Sequence, residues 1–486
     1  VSAGAVAAPP SRSALRGLAL ALALAAGGSP AAGAVTPGDQ AGSAAPVPSL
    51  APPDSPALPL AEAVARSLAA AAPVAAARAV EAAARAQLAD AEADLVPALS
   101  FAGSAFRHQK PTLVTPIHGF TPGLLPTFDR NLLWGDLQLR YELWDGGARA
   151  ARIAQRREQL AAAQAAADAT AGTVAARAVA SYLAVLTLAE QAAAHEQRSR
   201  ALAAEWQRVD QLLAVGRAAR VDLLRVEAAE AAADAELVVV VVARESAARD
   251  LQRLMGEDPE ARLLPPLIEV TLAAEVPPAL AGLLGRAVER SPQVARARRE
   301  LAAAAAAVDA ARATRAPAVR AEGHYLGFAG GNGERAAEWN AGLRVAVPLW
   351  DRHLAARVAL AEAGRDAAAA SLRLAQDQVG AEVDRAWADL HAAHARASSL
   401  VEAEARHAEV VRVEKLRLAA GVGVEADYLR AEADLLQARA SAIEARHRAA
   451  AARAELQRTT GELSAEWVER AFAAEPPAAA AAEDGR

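Results

Sequence analysis

The sequence has no cysteine, a single methionine, and aromatic residues at only 3% of its 486 positions. Without cysteine there is no disulfide framework, no thiolate metal site and no thiol to accept a lipid. An excess of charge of one sign is missing too. Against 58 acidic residues stand 52 basic ones, a net charge of -6, without the basic surplus expected of a nucleic-acid binder. Long uncharged apolar runs are absent beyond the first forty residues, and Val238–Val242 is too short to cross a bilayer; it reads as a buried helix seam. No phosphate-binding loop, nucleophile elbow or zincin motif occurs, so neither an enzyme nor a cofactor is expected. Gly330 to Gly333 reads as a strand connection. His391 and His394 could share a helix face, but no third ligand follows by spacing, so they read as surface histidines rather than metal ligands.

What the chain has in abundance is alanine, roughly three residues in ten. Alanine favours helix strongly and buries little area per residue. The hydrophobic fraction of 53% therefore points to long, thin helices packed closely rather than to a thick core.

The first residues resemble a secretory signal over 1–34. Arg12 and Arg16 precede an apolar run, and Ala32-Gly33-Ala34 supplies a cleavage pattern. Residues 35–59, rich in Pro and Ala, read as a flexible linker. A Pro- and Ala-rich tail, 464–486, reads as disordered.

Between these ends lies a duplication. Leu251-Gln252-Arg253 through Gly256-Glu257 recurs as Leu456-Gln457-Arg458 through Gly461-Glu462, an offset of 205 residues, which also relates Gly216 to Gly421, Asp222 to Asp427 and Tyr182 to Trp387. Pro97 and Pro317 are 220 apart, so copy one carries about 14 extra residues between positions 107 and 133. Copy one spans 60–256 and copy two 293–463, with an inter-repeat segment 257–292 that would sit at the equator. Each copy predicts one helix (74–95; 293–315), two strands (97–107 and 134–144; 317–328 and 338–349), then a very long helix (148–214; 354–419). A glycine turn follows (215–222; 420–427), and a helix of about 35 residues returns. At 1.5 Å per residue the long helix spans roughly 100 Å, and the two shorter ones, end to end, could line it.

The strands alternate. Leu137, Leu139, Tyr141 and Leu143 oppose Asp136, Gln138, Arg140 and Glu142, and copy two repeats the pattern with Leu343, Val345, Val347 and Leu349. Trp134 and Trp144 bracket one strand, and Trp339 and Trp350 its counterpart, as interfacial aromatics would bracket a lipid band about 25 Å tall. Four strands cannot close a barrel, whereas three chains would supply twelve. Asp145 and Asp351 read as caps of the long helices, with Gly146 and Gly147 easing the bend; Arg352 and His353 in copy two suggest that glycine is not required there.

Leu-Trp-Asp-Gly-Gly at 143–147 with Pro-Leu-Trp-Asp at 348–351, Val-Gly-Arg-Ala-Ala-Arg-Val-Asp-Leu-Leu at 215–224 with Gly-Val-Gly-Val-Glu-Ala-Asp-Tyr-Leu at 421–429, and Ala287 through Pro292 together resemble the TolC-like outer-membrane efflux proteins, over about residues 60 to 463. The resemblance implies a mainly α protein with a small β part. Long antiparallel hairpins would form a trimeric α-barrel in the periplasm, joined to a twelve-stranded barrel in outer-membrane lipid. It also implies a homotrimer and a passive duct serving a periplasmic adaptor and an inner-membrane pump, for efflux or type I secretion. With no cysteine, the barrel alone would anchor it. The turns would be the adaptor-contacting tips, with Val215, Gly216, Arg217, Ala420, Gly421 and Val422 at the contact. Asp427 falls where the family has an acidic residue at the periplasmic mouth. The position three residues later, acidic in many members, is Arg430, so Asp427 either lines a gate, pairs with Arg430 or caps its helix. Asp222 and Arg225 repeat the arrangement. The rival reading is a periplasmic coiled-coil adaptor or scaffold with its strands in a soluble sheet.

Overall fold

The computed structural model describes residues 56–115, 123, 126–260, 263–270 and 279–472. The expected signal, most of the linker and the end of the tail lie outside them. Each copy begins with two helices, not one: α1 (Leu60–Ala70) and α2 (Ala72–Ala93) in copy one, α5 (Leu280–Arg290) and α6 (Pro292–Ala313) in copy two. A proline at the start of the second helix of each pair removes the backbone donor that would have made them continuous. Then come β1 (Ala98–Leu113) and β2 (Phe128–Trp144), or β3 (Ala318–Gly330) and β4 (Arg335–Ala346). The long helices are α3 (Ala148–Ala214) and α7 (Arg352–Ala419), and the return helices α4 (Arg220–Leu254) and α8 (Glu425–Thr459).

The duplication shows in the junctions. Gly256, ending α4, sits so close to Ala70 at the end of α1 that a Cβ there would lie 2.5 Å from that of Ala70; Gly461, ending α8, lies as close to the Arg290 carbonyl at the end of α5. So α4 continues the line of α1 and α2, and α8 that of α5 and α6. Both lines flank α3. Arg157–Glu92 (3.0 Å) ties its first half to α2 and Arg299–Glu158 (3.1 Å) to α6, while Ser199–Asp234 (2.6 Å) ties its second half to α4 and Arg446–Glu190 (2.6 Å) to α8. Beyond α6 and α8 runs α7, joined by Arg312–Glu362 (2.6 Å) and Arg439–Glu404 (3.1 Å). The wall is one helix thick.

Its core is concentrated where the lines meet. Tyr182 is fully buried; its hydroxyl donates to the Leu58 carbonyl (2.7 Å) and accepts from the Ile268 amide (2.9 Å). Leu58 bridges Leu267 in parallel. The last residues of the expected flexible linker are thus packed, and Leu58 is core at 3% exposure. The expected disordered tail also needs correction. Residues Ala465–Ala471 form α9, capped by Ser464, with Val468 and Phe472 buried beside the Tyr182 cluster and Arg453 over the Trp467 ring. The apolar side chains of α9 outweigh its alanine-rich context.

The four strands form one antiparallel sheet in the order β1-β2-β3-β4, so the central β2–β3 pair joins the two copies. Strands β1 and β2 run well into the expected 107–133 loop, as a long hairpin with an irregularity between Arg107 and Thr112. Among the described residues nothing covers the apolar face: Leu99, Phe101, Leu137, Leu139, Leu343 and Val345 are all exposed.

Candidate functional site

The helical turns are built identically. Gly216 (φ 74) and Gly421 (φ 73) adopt the left-handed conformation just past α3 and α7. The amides of Gly216 and Arg217 return to the carbonyls of Leu213 and Leu212, and those of Gly421 and Val422 to Leu418 and Arg417. Each turn thereby satisfies two carbonyls that a helix end leaves open. Val215, Gly216, Arg217, Ala420, Gly421 and Val422 are all exposed, and Val215 and Val422 present 68% and 70% of their surface. A reversal that exposes two valines has apolar surface to offer a partner.

The aspartates after the turns diverge. Asp222 pairs with Arg225 at 3.2 Å, and its other oxygen accepts weakly from the Ala219 amide at 3.4 Å, a reach-back cap of α4. Asp427 is exposed; among the described residues it forms no ion pair with Arg430, and α8 has no side-chain cap at Val424. The two positions, alike in sequence, differ in use.

Beside Asp427 lies a cluster that spacing does not reveal. Glu425, at 7% exposure, opens α8 and faces Glu205 on α3. Arg208 donates to Glu425 at 2.8 Å and to Glu205 as well. Burial, then the hydrogen bond and charge of Glu205, push Glu425 up to about 7. Burial also opposes ionisation of Glu205, but Arg208 and the bond from Glu425 prevail and hold it below the ordinary carboxylate value. At the contact of α3 with α8, protonation is thus favoured at Glu425 and disfavoured at Glu205. Higher on the same contact, His447 bridges Thr187 (2.7 Å) and Glu190 (3.1 Å). Burial pushes the half-buried Glu190 up, yet His447 and Arg446 hold it below its ordinary value.

At the strand-to-helix junctions, Asp145 accepts from the Arg149 amide (2.7 Å) and the Gly147 amide (3.2 Å), and Asp351 accepts from the His353 amide (2.8 Å) as the N-cap of α7. The junctions are not equivalent. Gly146 and Gly147 have φ 66 and 92, and a Cβ on Gly146 would collide with Ala316. Copy one requires glycine there. Copy two lacks that left-handed step, which is why Arg352 and His353 fit.

The sheet's second face is charged. Glu142 pairs with Arg320 (2.9 Å), Glu322 with Arg344 (3.0 Å) and Asp136 with His324 (3.0 Å), while Gln138 reaches His324 (3.3 Å). Trp339, opposite Tyr325, stands on the apolar face. Trp144 reaches it through a bulge after Glu142 that sets it opposite Val319. Trp350 follows β4 and is 87% exposed. Trp134 departs from expectation. It pairs with Ser104 and Phe328 in unbroken register with Asp136, so the pleat puts it on the charged face, not with the apolar stripe.

Val238, Val239 and Val242 lie on α4 and are exposed in the single chain, whereas Val241 in the same run is buried. His391 packs edge-on against Trp387, centroids 4.0 Å apart, and no group of three metal-ligating side chains occurs among the described residues.

The family model described as Outer membrane efflux protein matches residues 63–257 and 283–462, one stretch for each copy. No curated protein matches the sequence. Among solved structures, the fold is similar to the outer membrane protein VceC of Vibrio cholerae, at 21% identity over 83% of this chain and 96% of that one, with a TM-score of 0.67. It is similar also to the Campylobacter jejuni CmeC outer membrane channel (17%, over 83% and 85%, TM-score 0.69) and to the open state of the Neisseria gonorrhoeae MtrE outer membrane channel (19%, over 83% and 89%, TM-score 0.67).

Proposed function

This chain belongs to the outer membrane efflux protein family and is an outer-membrane efflux duct, and from that premise we propose how the duct is built. Three copies join into one tube. Their sheets close a twelve-stranded barrel in outer-membrane lipid, with the apolar face outward and the charged face lining the bore. Their helices extend the tube into the periplasm, where the Gly216 and Gly421 turns meet an adaptor that couples the duct to an inner-membrane pump.

The observation that carries this reading is the sheet. One face is apolar and exposed, the other is laced with ion pairs, and strands β1 and β4 each have a free edge. Such a sheet is unfinished in water and complete in a closed barrel within lipid. The helices support the same assembly. The wall ends on one side in α4, with exposed Val238, Val239 and Val242, and on the other in α7, with exposed Leu360, Leu374 and Val410. Unlike flanks join head to tail, which closes a ring. An adaptor or scaffold offers no reason for the uncovered sheet.

At the tips, exposed Val215, Arg217 and Val422 are the adaptor contact, and three Asp427 carboxylates around the axis form a cation-favouring ring at the mouth. Fractionation of the expressing bacterium tests the assembly. Detergent-dependent extraction from the outer membrane as a trimer is expected; release as a monomer without detergent defeats the model.

A further inference from the structure

The charged face of the sheet is not charged along its whole height. An ion pair still spans it at Asp136 and His324, where Glu338 stands level with Asp136 on the same face. Further from the helices, the cross-strand partners on that face become Trp134 with Phe328, then Phe106 with Leu132. Beyond them Val114, 3% exposed, folds onto the same face against Gly330, where a Cβ would sit 3.1 Å from it. Trp134 and Phe106 still expose 36% and 55% of their surface there. A polar-lined sheet has no folding reason to place bulky apolar groups on its wet face.

We propose that these side chains form an apolar collar at the outer mouth of the bore, which bars hydrated and charged solutes from entering while admitting cargo with an apolar face. The inference rests on the trimeric barrel proposed above. Twelve strands about 4.8 Å apart, tilted about 40°, give a backbone diameter of about 24 Å. Indole and phenyl rings reaching in from three chains narrow that to about 10 Å. An aperture of that width, lined by apolar rings, sheds water from a hydrated solute without offering hydrogen bonds in return, whereas an aromatic or aliphatic cargo finds contact. Below it, the Arg320–Glu142 and Arg344–Glu322 pairs keep the rest of the bore wetted.

The absence of cysteine supplies the test. Ser100 pairs with Gln138 on the charged face, on the helix side of the collar. In a Ser100→Cys variant, a sulfonated fluorescent maleimide added to intact cells must pass the collar to react, being too bulky for general porins. Slow labelling is expected. Adding Trp134→Ala and Phe328→Ala should speed it several-fold, while Trp134→Phe should leave it near the parental rate. Phe106→Ser offers a second route to the same gain, and heat-sensitive trimer bands on gels confirm that each variant assembles. Equal labelling rates in all assembled variants would overturn the collar. Recovery of the parent as a soluble monomer would instead remove the duct model beneath it.

Discussion

Glu205 and Glu425 lie 220 positions apart, yet their carboxyls share one guanidinium, that of Arg208, at the lower contact between α3 and α8. Burial and the neighbouring Glu205 raise Glu425 from 4.5 to about 7. The folded protein therefore keeps a proton that the unfolded chain releases, so the contribution is complete below 4.5 and is lost as pH rises through about 7. Hydrogen exchange in the first turn of α8, corrected for intrinsic rates, should accelerate as pH passes neutrality. Glu425→Gln keeps the neutral form and should flatten that dependence. An unchanged slope in the variant would assign the effect elsewhere.

The four left-handed glycines at the C-terminal ends of described helices, Gly216, Gly256, Gly421 and Gly461, should not tolerate alanine equally. Gly421→Ala meets open space and incurs only the left-handed conformation, about 1–2 kcal/mol. Gly461→Ala adds a collision with the Arg290 backbone, a further cost of about 1–3 kcal/mol. Thermal denaturation of the purified assembly should rank Gly461→Ala well below Gly421→Ala, with Gly256→Ala close to Gly461→Ala.

Removing the Tyr182 hydroxyl leaves the Ile268 amide and the Leu58 carbonyl without their side-chain partner. Tyr182→Phe should cost about 1–3 kcal/mol. The loss should concentrate in the strap around residues 263–270, read as faster proteolysis there while the long helices stay protected.

Those three predictions draw unevenly on what the sequence discloses. The 205-residue offset places both long helices and their glycine turns, because alanine-rich periodicity and a following glycine are local signals. The break between α1 and α2 was hidden, since an eleven-residue helix before Pro73 reads as part of the next one. The distal half of the β1–β2 hairpin looked like loop because its alternation is blurred by Lys110, Pro111 and Asn131. Trp134 deceived by position. It brackets the strand by count, but one residue of parity decides a face. The Glu205–Glu425 pair had no signature at all, since charges on a long helix ordinarily face water and only tertiary packing selects which ones meet.

A charge on the outer flank of the helical wall should separate the copies. Val239→Asp on α4 or Val410→Asp on α7, exposed by 68% and 48% in the single chain, should leave the secondary structure intact while abolishing the trimer in native mass spectrometry. A polar substitution at exposed Arg406 should have no such effect.

Asp427 and Asp222 separate gate from cap. In planar-bilayer recordings, Asp427→Ala should weaken cation preference, because its carboxylate has no partner to neutralise it among the described residues. Asp222→Ala should leave selectivity unchanged and cost about 1 kcal/mol through its helix start. Identical selectivity in parent and Asp427→Ala would remove the ring.

The uncovered sheet also constrains how the molecule is made. A newly secreted chain carries two raw strand edges and an apolar face that water and a lone bilayer each satisfy only in part. It can neither finish folding before it meets its sisters nor enter lipid ahead of them. For the proposed trimer, closing the barrel and entering lipid are therefore coupled to the meeting of the three chains.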